Sequence, residues 1–503
     1  MTTTDTQKNT AISRSPIVAI MGHIDHGKTT LLDYIRKTAV AAKETGGITQ
    51  HVAAYEVTHT TADGAQKNIT FIDTPGHEAF CGIRNRGACV ADIAVLIVSG
   101  EDGVKPQTLE ALKFIKASNT PYIVAITKID KPSASVERVK QSLLENEIYV
   151  EGYGGDVPCV PLSGTTGEGV DDLLEMILLV ADVVQITGNP GKPAEGTVLE
   201  ATRSKEKGVT ATLIVQDGTL KKSMYVVAGK ALSVLRTMED SLGCRIDSAT
   251  LSDPVCVAGW SELPKAGIPF YSFENKKEAE AFIANGSEMA LEEKKVAQAP
   301  GQRVTVPVVV KADVGGTLEA VLYELGKLAT DTVCIKVIQS GTGNINESDI
   351  KIATGGDGAM VIGFNVKVDN IAQALAERDG ITVELFTIIY KLAERMQEVV
   401  IERTPKVTTT EVHGSAKIIR FFSAVKDKQV IGGKVLDGSI QVGNEFKIMR
   451  RGAEVGTGKI RELQQQKVKT NEVEKDREFG ALAEARIQIA PGDVLDMFVL
   501  VTK

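Results

Sequence analysis

The chain has 503 residues and no apolar run long enough to cross a bilayer, for which a helix needs roughly 20 residues. Residues 1–15 are polar and rich in threonine. They have neither the apolar centre of a secretory signal nor the arginines of a transit peptide. These absences predict a cytoplasmic protein with no membrane partner, which begins with a disordered polar tail over residues 1–15.

Cysteine is scarce and scattered. The six cysteines lie at positions 81, 89, 159, 244, 256 and 334, and no two have Cys-x-x-Cys spacing. Zinc sites and disulfide frameworks both need closely spaced or paired cysteines. Neither is expected here, and we interpret the six thiols as small core residues.

The chain also lacks a positive net charge, since 57 Lys and Arg stand against 65 Asp and Glu, a balance of −8. That balance argues against an RNA partner for the chain as a whole. Residues 405–503 differ, with 17 Lys and Arg against 13 Asp and Glu. This segment is the expected RNA-facing part, although so small an excess also fits an ordinary solvated surface.

The most informative segment that is present reads Gly-His-Ile-Asp-His-Gly-Lys-Thr at residues 22–29. An apolar strand pattern precedes it and an amphipathic helix pattern follows it, which is typical of a phosphate-binding loop. Lys28 is expected to reach the β and γ phosphates, and the Thr29 hydroxyl to bind Mg²⁺. The predicted nucleotide-binding residues of this loop are Gly22, His23, Ile24, Asp25, His26, Gly27, Lys28, Thr29 and Thr30.

A second strand pattern ends in Asp-Thr-Pro-Gly-His at residues 73–77. Its carboxylate can hold Mg²⁺ through water, and its glycine N–H can sense the γ-phosphate. The predicted nucleotide-binding residues here are Asp73, Thr74, Pro75, Gly76 and His77.

Two further loops predict guanine as the base. Thr127, Lys128 and Asp130 follow a buried strand pattern, and such an Asp can accept hydrogen bonds from guanine N1 and N2. Adenine offers neither donor in that geometry, so the site should reject ATP by a factor on the order of 10⁴. Backbone N–H groups of a later loop can meet guanine O6, and its predicted residues are Ser163, Gly164 and Thr165. The predicted ligand is therefore GTP.

In this order, and together with Gly-Gly-Ile-Thr-Gln-His at residues 46–51, the motifs resemble those of translational GTPases. The last segment is similar to that of the bacterial translation initiation factor 2 family. The resemblance implies that Thr49 binds Mg²⁺ directly together with Thr29, and that His77 is the catalytic residue that orients the attacking water. It further implies an apolar gate of Ile24 and Ile48 beside that histidine, and a role for Asp25 with a monovalent cation.

The same resemblance implies an enzyme that hydrolyses GTP to GDP and phosphate. No arginine finger is evident from the sequence, so we expect slow intrinsic hydrolysis that the ribosome accelerates. The implied partners are the small ribosomal subunit, formylmethionyl initiator tRNA, the sarcin-ricin loop of the large subunit and other initiation factors. The protein itself is expected to be a monomer.

The predicted fold class is multidomain α/β plus β. The expected parts are a P-loop GTPase domain at 16–185, a β-barrel at 193–274, a charged helical linker at 275–300, a compact α/β domain at 303–383, a long connecting helix at 384–404 and a second β-barrel at 405–503. Val-Gln-Asp-Gly-Thr-Leu at 215–220 recurs as Val-Leu-Asp-Gly-Ser-Ile at 435–440. This repeat predicts two related barrels, each built around an Asp-Gly hairpin.

Lys-Ala-Asp-Val-Gly-Gly-Thr at residues 311–317 resembles a second phosphate loop but lacks Gly-Lys-Thr. We interpret it as a strand-to-helix turn, since its Asp would repel phosphate.

The chain departs from the family pattern at several positions. Thr127 replaces an Asn, Ser163-Gly164-Thr165 replaces Ser-Ala-Lys, and Phe479 replaces a Cys. In the last barrel, which would hold the acylated end of the tRNA, a basic-aromatic stretch is replaced by glutamines. The candidate tRNA-end residues are Phe479, Gly480, Gln464, Gln465 and Gln466. The long amino-terminal extension of many bacterial members is also absent from this sequence, so a partner bound through it is expected to be lost or bound differently.

Two other functions stay open. One is a specialised GTPase that delivers aminoacyl-tRNA, and the other is a GTP-gated ribosome assembly or anti-association factor that carries no tRNA.

Overall fold

The computed structural model describes residues 11–37, 49–61, 63–204, 207–285, 304–330, 332–356, 358–404, 408–466 and 468–502. The chain divides into two compact units, residues 1–403 and 404–503. No helix in the described ranges is long and apolar enough to cross a membrane.

The first part of unit one is a six-stranded sheet with helices on both faces. Its strands are β2 Ile17–Gly22, β3 Ala53–Thr60, β4 Gln66–Asp73, β5 Ile93–Ser99, β6 Tyr122–Thr127 and β7 Cys159–Pro161. Its helices are α1 Lys28–Arg36, α2 Cys81–Val90, α3 Pro106–Ala117, α4 Val136–Glu145 and α5 Val170–Val184. The strand order is β3-β4-β2-β5-β6-β7, and only β3 runs antiparallel to its neighbour. Two short strands, β1 Ile12–Ser13 and β8 Thr187–Gly188, form a separate two-stranded sheet.

The central strands β2 and β5 are buried along their whole length. Helices α1 and α5 contribute to the core on one face of the sheet, and α2, α3 and α4 to the core on the other. Sheets covered on both faces select continuous apolar runs, which explains the sequence of these strands. The carboxyl ends of β2, β4 and β6 share one edge, where ligands of open α/β sheets bind.

The predicted disordered tail is wrong for its last residues. Strand β1 pairs with β8, and Arg14 is bound to Asp92 at 2.6 Å with 8% of its side chain exposed. A paired backbone and a buried ion pair hold this segment in place. Residues 1–10 lie outside the described part of the chain.

An antiparallel barrel sheet follows in unit one. It contains β9 Glu195–Ser204, β10 Gly208–Asp217, β12 Tyr225–Ala228, β13 Ala231–Val234, β14 Met238–Glu239, β15 Arg245–Ile246, β17 Pro254–Ala258 and β18 Pro269–Phe273. The short strands β11 Leu220–Lys221 and β16 Ser248–Ala249 pair with each other beside it. Helix α6 Lys276–Asn285 covers its end, where Phe282 packs on Tyr271 and Phe273. The helix therefore belongs to the barrel, and residues 286–300 of the predicted linker lie outside the described ranges.

Unit one ends with a compact α/β domain. Its elements are β19 Val304–Ala312, α7 Gly315–Lys327, β20 Val333–Thr342, α8 Glu347–Thr354, β21 Met360–Phe364, α9 Asn370–Asp379, β22 Thr382–Phe386 and α10 Ile389–Arg403. The four strands are parallel in the order β20-β19-β21-β22. The turn of residues 313–314 joins β19 to α7, as the interpretation of the Gly-Gly segment requires.

The predicted start of the connecting helix at residue 384 is wrong. Residues 382–386 form β22, the edge strand beside β21, and the helix begins at Ile389. Leu385 and Phe386 are apolar, so in the sequence they continue the pattern of the helix that follows. Pairing with β21 holds them in an extended conformation instead.

Unit two is a closed barrel of long antiparallel strands. Its strands are β23 Thr408–Val425, β24 Lys428–Gln441, β25 Glu445–Arg450, β26 Ala453–Gln465, β27 Val468–Thr470, β28 Glu472–Glu474, β29 Glu478–Ala485 and β30 Val494–Thr502. The pairing β23-β30-β25-β26-β29-β24 closes because β24 also pairs with β23.

The predicted fold class, multidomain α/β plus β, with an α/β domain, two barrels and a smaller α/β domain, is thus confirmed.

The two Asp-Gly repeats are bends and not hairpins, which corrects the prediction. Gly218 and Gly438 both have positive φ, 81° and 69°, but β10 does not pair with β11 and residues 428–441 form one strand. In each barrel a Cβ on the glycine would lie 2.0–2.2 Å from the carbonyl oxygen of an earlier segment, Pro193 or His413. Only glycine allows this crossing of two backbones, and its recurrence supports related barrels.

The interpretation of the cysteines as core residues is correct for Cys159, which packs against the core of the six-stranded sheet, but none of the six is fully buried. Cys89 and Cys244 are exposed, and the other four are partly buried.

Candidate nucleotide site

The phosphate loop connects β2 to α1. Gly22 and Gly27 have φ of 150° and 85°, and a Cβ on Gly22 would lie 2.5 Å from the carbonyl oxygen of Ile97. The loop can therefore curl only with glycine at these two positions. Backbone N–H groups at the first turn of a helix such as α1 are suited to binding an anion.

The Lys28 ammonium lies inside this loop. It donates to the carbonyl oxygens of Gly22 at 3.0 Å and His23 at 2.5 Å. Burial lowers the pKa of Lys28 to about 8, against the opposing charge of Asp73. A Cβ on Gly76 would lie 2.5 Å from Nζ, so Gly76 is the residue that lets the following loop close over the lysine.

Thr127, which stands where the family has Asn, still bridges to the phosphate loop. Its Oγ1 donates to the carbonyl oxygen of His26 at 2.6 Å, and both groups are buried. His26 is held from its other side as well, because its Nδ1 accepts from the Ser99 N–H at 3.2 Å. Burial lowers the pKa of His26 to about 3, so its imidazole is neutral at physiological pH.

Asp130 is oriented by the loop that was predicted to face guanine O6. Ser163 Oγ donates to Asp130 Oδ1 at 2.7 Å, and this bond lowers the carboxyl pKa. The N–H of Thr165 donates to the same Ser163 oxygen at 3.3 Å. One serine thus connects the carboxylate to the second loop.

The hydroxyl groups of Thr29 and Thr49 meet at 2.8 Å. Adjacent ligands of an octahedral Mg²⁺ with bonds of about 2.0–2.1 Å lie about 2.8–3.0 Å apart. The two oxygens therefore fit the predicted metal. The Asp73 carboxylate, predicted to act through a water, is buried, and its charge acts on Lys28. Ile48, the second member of the predicted gate, lies outside the described residues, whereas Ile24 lines the cavity.

His77 sits at the start of a 3-10 turn, Glu78–Phe80. Its Nδ1 accepts from the Ala79 N–H at 2.9 Å. Burial and then the charges of Arg84 and Lys327 lower its pKa to about 4. The neutral ring therefore carries its proton on Nε2, the nitrogen that remains for a water.

Arg84 organises the backbone around His77, and sequence reasoning missed it. Its guanidinium donates to the carbonyl oxygens of Pro75 at 3.2 Å and of His77, and pairs with Glu110 at 2.8 Å. Only 1% of its side chain is exposed. The one signal in the sequence is a cation on the apolar face of a short helix.

These loops enclose a cavity of about 300 Å³. It is lined by Ile24, Asp25, Gly27, Lys28, Thr29, Thr30, Thr49, Gly76, His77, Thr127, Lys128, Asp130, Lys131, Gly164 and Thr165. Lys131 was not predicted. The remaining predicted residues do not line the cavity and are Gly22, His23, His26, Asp73, Thr74, Pro75 and Ser163. Thr74, for example, is buried and donates to the carbonyl oxygen of Ile20 at 2.7 Å.

The segment after His77 packs into the α/β domain. Ala79, Phe80 and Ile83 share one hydrophobic core with β19, β21, α7 and α10. Ion pairs extend this contact, between Glu78 and Lys327 at 2.7 Å and between Arg86 and Glu319 at 2.6 Å. The cavity and the α/β domain are thus joined through the residues next to His77.

Unit two has a separate cavity of about 930 Å³ in its barrel. Gln464, Gln466, Phe479 and Gly480 line it, and Gln465 does not. Phe479 is only 4% exposed and belongs to the barrel core. It therefore shapes the cavity floor and offers little surface to a ligand.

Comparisons with known proteins agree with this division of the chain. The elongation factor Tu GTP binding domain family matches residues 13–182, the elongation factor G domain 2 family residues 193–273, and the Translation-initiation factor 2 family residues 281–397. "Translation initiation factor IF-2" of Anoxybacillus flavithermus is 40% identical over 501 residues, which cover 97% of this chain and 68% of that protein. The chain belongs to the translation initiation factor 2 family.

Two other family members, from Lachnoclostridium phytofermentans and Solibacter usitatus, are 40% and 42% identical over 99% and 96% of this chain. The chain spans only about half of their length, 45% and 49%. Among solved structures, the crystal structure of GDP-bound aIF5B from Aeropyrum pernix is 28% identical with a TM-score of 0.48, over 97% of this chain and 92% of that one.

Proposed function

We propose that the chain is a translation initiation GTPase that binds GTP with Mg²⁺ at the cavity of unit one and hydrolyses it on the ribosome. The observation that carries this proposal is the convergence of Lys28, Asp130 and His77 on one cavity at the carboxyl edge of the sheet. Family membership supports the ribosome as the partner.

Base selection is assigned to Asp130. Its carboxylate, fixed by Ser163, would accept hydrogen bonds from N1 and N2 of guanine. Gly164 and Thr165 line the cavity next to it. The Gly164 N–H would donate to guanine O6, because the Thr165 N–H already donates to Ser163 Oγ. Adenine would leave the carboxylate unpaired, which disfavours ATP.

Hydrolysis is assigned to in-line attack of water on the γ-phosphate. Lys28 and the N–H groups of the loop would stabilise the charge that develops on the phosphoryl oxygens. Thr29 and Thr49 would hold Mg²⁺, with Asp73 behind a water, and the bound metal would neutralise β and γ oxygens. His77 would orient the water from Nε2, next to Ile24, and Asp25 is assigned to a monovalent cation in the same loop.

GTP turnover tests the assignment of His77. We expect His77→Ala to bind labelled GDP and GTP within about threefold of the unsubstituted chain but to lose at least about a hundredfold of ribosome-stimulated turnover. His413→Ala, an exposed histidine of unit two, is the control. Undiminished turnover in His77→Ala would remove His77 from the mechanism.

For unit two we propose contact with the acylated end of formylmethionyl initiator tRNA at the barrel cavity, within recruitment to the small subunit and subunit joining. Arg420 in the lining offers a charge to phosphate, and the exposed Ile419 and Phe422 offer surface to an apolar aminoacyl group.

The test is protection of this tRNA from spontaneous deacylation. Unformylated and elongator tRNAs are the controls. Selective protection of the formylated initiator tRNA would support an initiation factor. Equal protection of elongator tRNA would support a delivery GTPase. No protection would support the assembly factor that carries no tRNA.

A further inference from the structure

Helix α10 begins beside the nucleotide cavity. The ring of Tyr390, its second residue, lies edge to face against the His77 imidazole, with centroids 4.3 Å apart and planes at 72°. Burial and then the charge of Asp25 in the phosphate loop raise the pKa of Tyr390. The phenol is therefore neutral, and its ring contacts the residue that is assigned to the attacking water.

The residues just before α10 hold a second segment of the site. Gln50 is 5% exposed, and its Nε2 donates to the carbonyl oxygen of Thr387 at 2.9 Å. Gln50 follows Thr49, whose hydroxyl meets that of Thr29. Residues 387–390 thus contact both segments that are assigned to the γ-phosphate and its metal.

These contacts restrict the His77 ring from two sides. Ala79 N–H occupies Nδ1, and the Tyr390 ring covers part of the imidazole surface. To turn its Nε2 toward a water, the His77 ring has to move away from Tyr390 or slide along it. Edge-to-face aromatic pairs bias such an equilibrium by about two- to tenfold.

We propose that the first turn of α10 is a latch on the hydrolytic site: Tyr390 is a positioning residue that holds the His77 ring in a resting orientation, and displacement of this turn releases it. The proposal rests on the proposed role of His77. It adds a residue from the α/β domain to the control of GTP hydrolysis and gives α10 a direct contact with the reacting region.

Single-turnover GTP hydrolysis without ribosomes tests the latch. We expect Tyr390→Ala to hydrolyse GTP about two- to tenfold faster than the unsubstituted chain, with unchanged affinity for GDP. Tyr390→Phe keeps the ring and should restore the original rate. Ile401→Ala, on the same helix and 66% exposed, is the control for changes in α10. A slower rate in Tyr390→Ala would mean that the tyrosine supports the active orientation, which overturns the latch.

Two further measurements separate the latch from a general effect on folding. The imidazole proton resonances of His77 should shift in Tyr390→Ala, where the ring current is lost, and stay in Tyr390→Phe. In a His77→Ala background, Tyr390→Ala should give no acceleration, because the tyrosine acts through the histidine. Equal acceleration in that background overturns the latch while His77 keeps its role. Full ribosome-stimulated turnover in His77→Ala alone instead overturns the proposed role of His77, and the latch with it.

Discussion

The buried guanidinium of Arg84 gives the sharpest test of how the site is held. Arg84→Met keeps the length of the side chain but removes its charge and all its donors. The carbonyl oxygens of Pro75 and His77 then lose a donor, and Glu110 loses its partner at 2.8 Å. Breaking a buried ion pair costs about 3–5 kcal/mol. Because 25% of the Glu110 side chain is exposed, we expect the lower value, about 3 kcal/mol.

Hydrogen–deuterium exchange measures this loss locally. The amides of Ala79 and Phe80 bind His77, through Nδ1 and the carbonyl oxygen respectively, so they report opening of the turn. A loss of about 3 kcal/mol corresponds to roughly a hundredfold faster exchange. Arg245→Met, an exposed arginine of the first barrel, should leave both amides unchanged. Protection of Ala79 and Phe80 within threefold of the original in Arg84→Met would refute the reasoning.

Three more predictions concern charge at the site. Asp130→Asn should weaken GTP binding at least about a hundredfold and favour xanthosine triphosphate; competition against labelled GDP measures this, and a retained guanine preference contradicts it. The pKa of His26 is about 3 in the folded chain, whereas the ordinary value for histidine is 6.5. As the pH falls, the unfolded chain therefore gains this proton at a higher pH than the folded chain does. Stability should therefore fall from pH 6.5 toward 3 by up to about 1.4 kcal/mol per unit, as urea midpoints at pH 7 and 5 can show, and His26→Gln should flatten the slope. With the Lys28 pKa at about 8, nucleotide binding at pH 8 should take up about half a proton, which calorimetry in buffers of different ionisation enthalpy detects; zero uptake would contradict it.

The strand, the glycine turn and the helix around residues 22–29 could be predicted from the sequence because their features are local. Glycines at positive φ, a lysine at the start of a helix and a preceding apolar strand all lie within twenty residues. The residues that hold His77 from behind and from above, Arg84 and Tyr390, depend on which helices meet in space. No spacing rule connects position 77 with position 390.

Two incorrect predictions have a common physical origin. Asp-Gly reports a glycine at positive φ, and both a hairpin and a bend in a continuous strand use that conformation. Likewise, Leu385 and Phe386 are apolar in either a strand or a helix, and only pairing with β21 decides between them.

Phe479 was assigned to a ligand contact by its position in the family pattern, whereas barrel closure buries it.

The hydrophobic core shared by Phe80, Ile83 and the α/β domain affects how the chain matures during synthesis. Ile83 leaves the ribosome more than two hundred residues before β19 begins at Val304. At about 5–20 residues per second, that interval is roughly 10–40 s. The six-stranded sheet can form in that time, but the apolar face next to His77 stays uncovered until the α/β domain emerges. A pause in translation before that domain would prolong the exposure of this face. The segment around His77 is therefore among the last parts of unit one to reach its native packing.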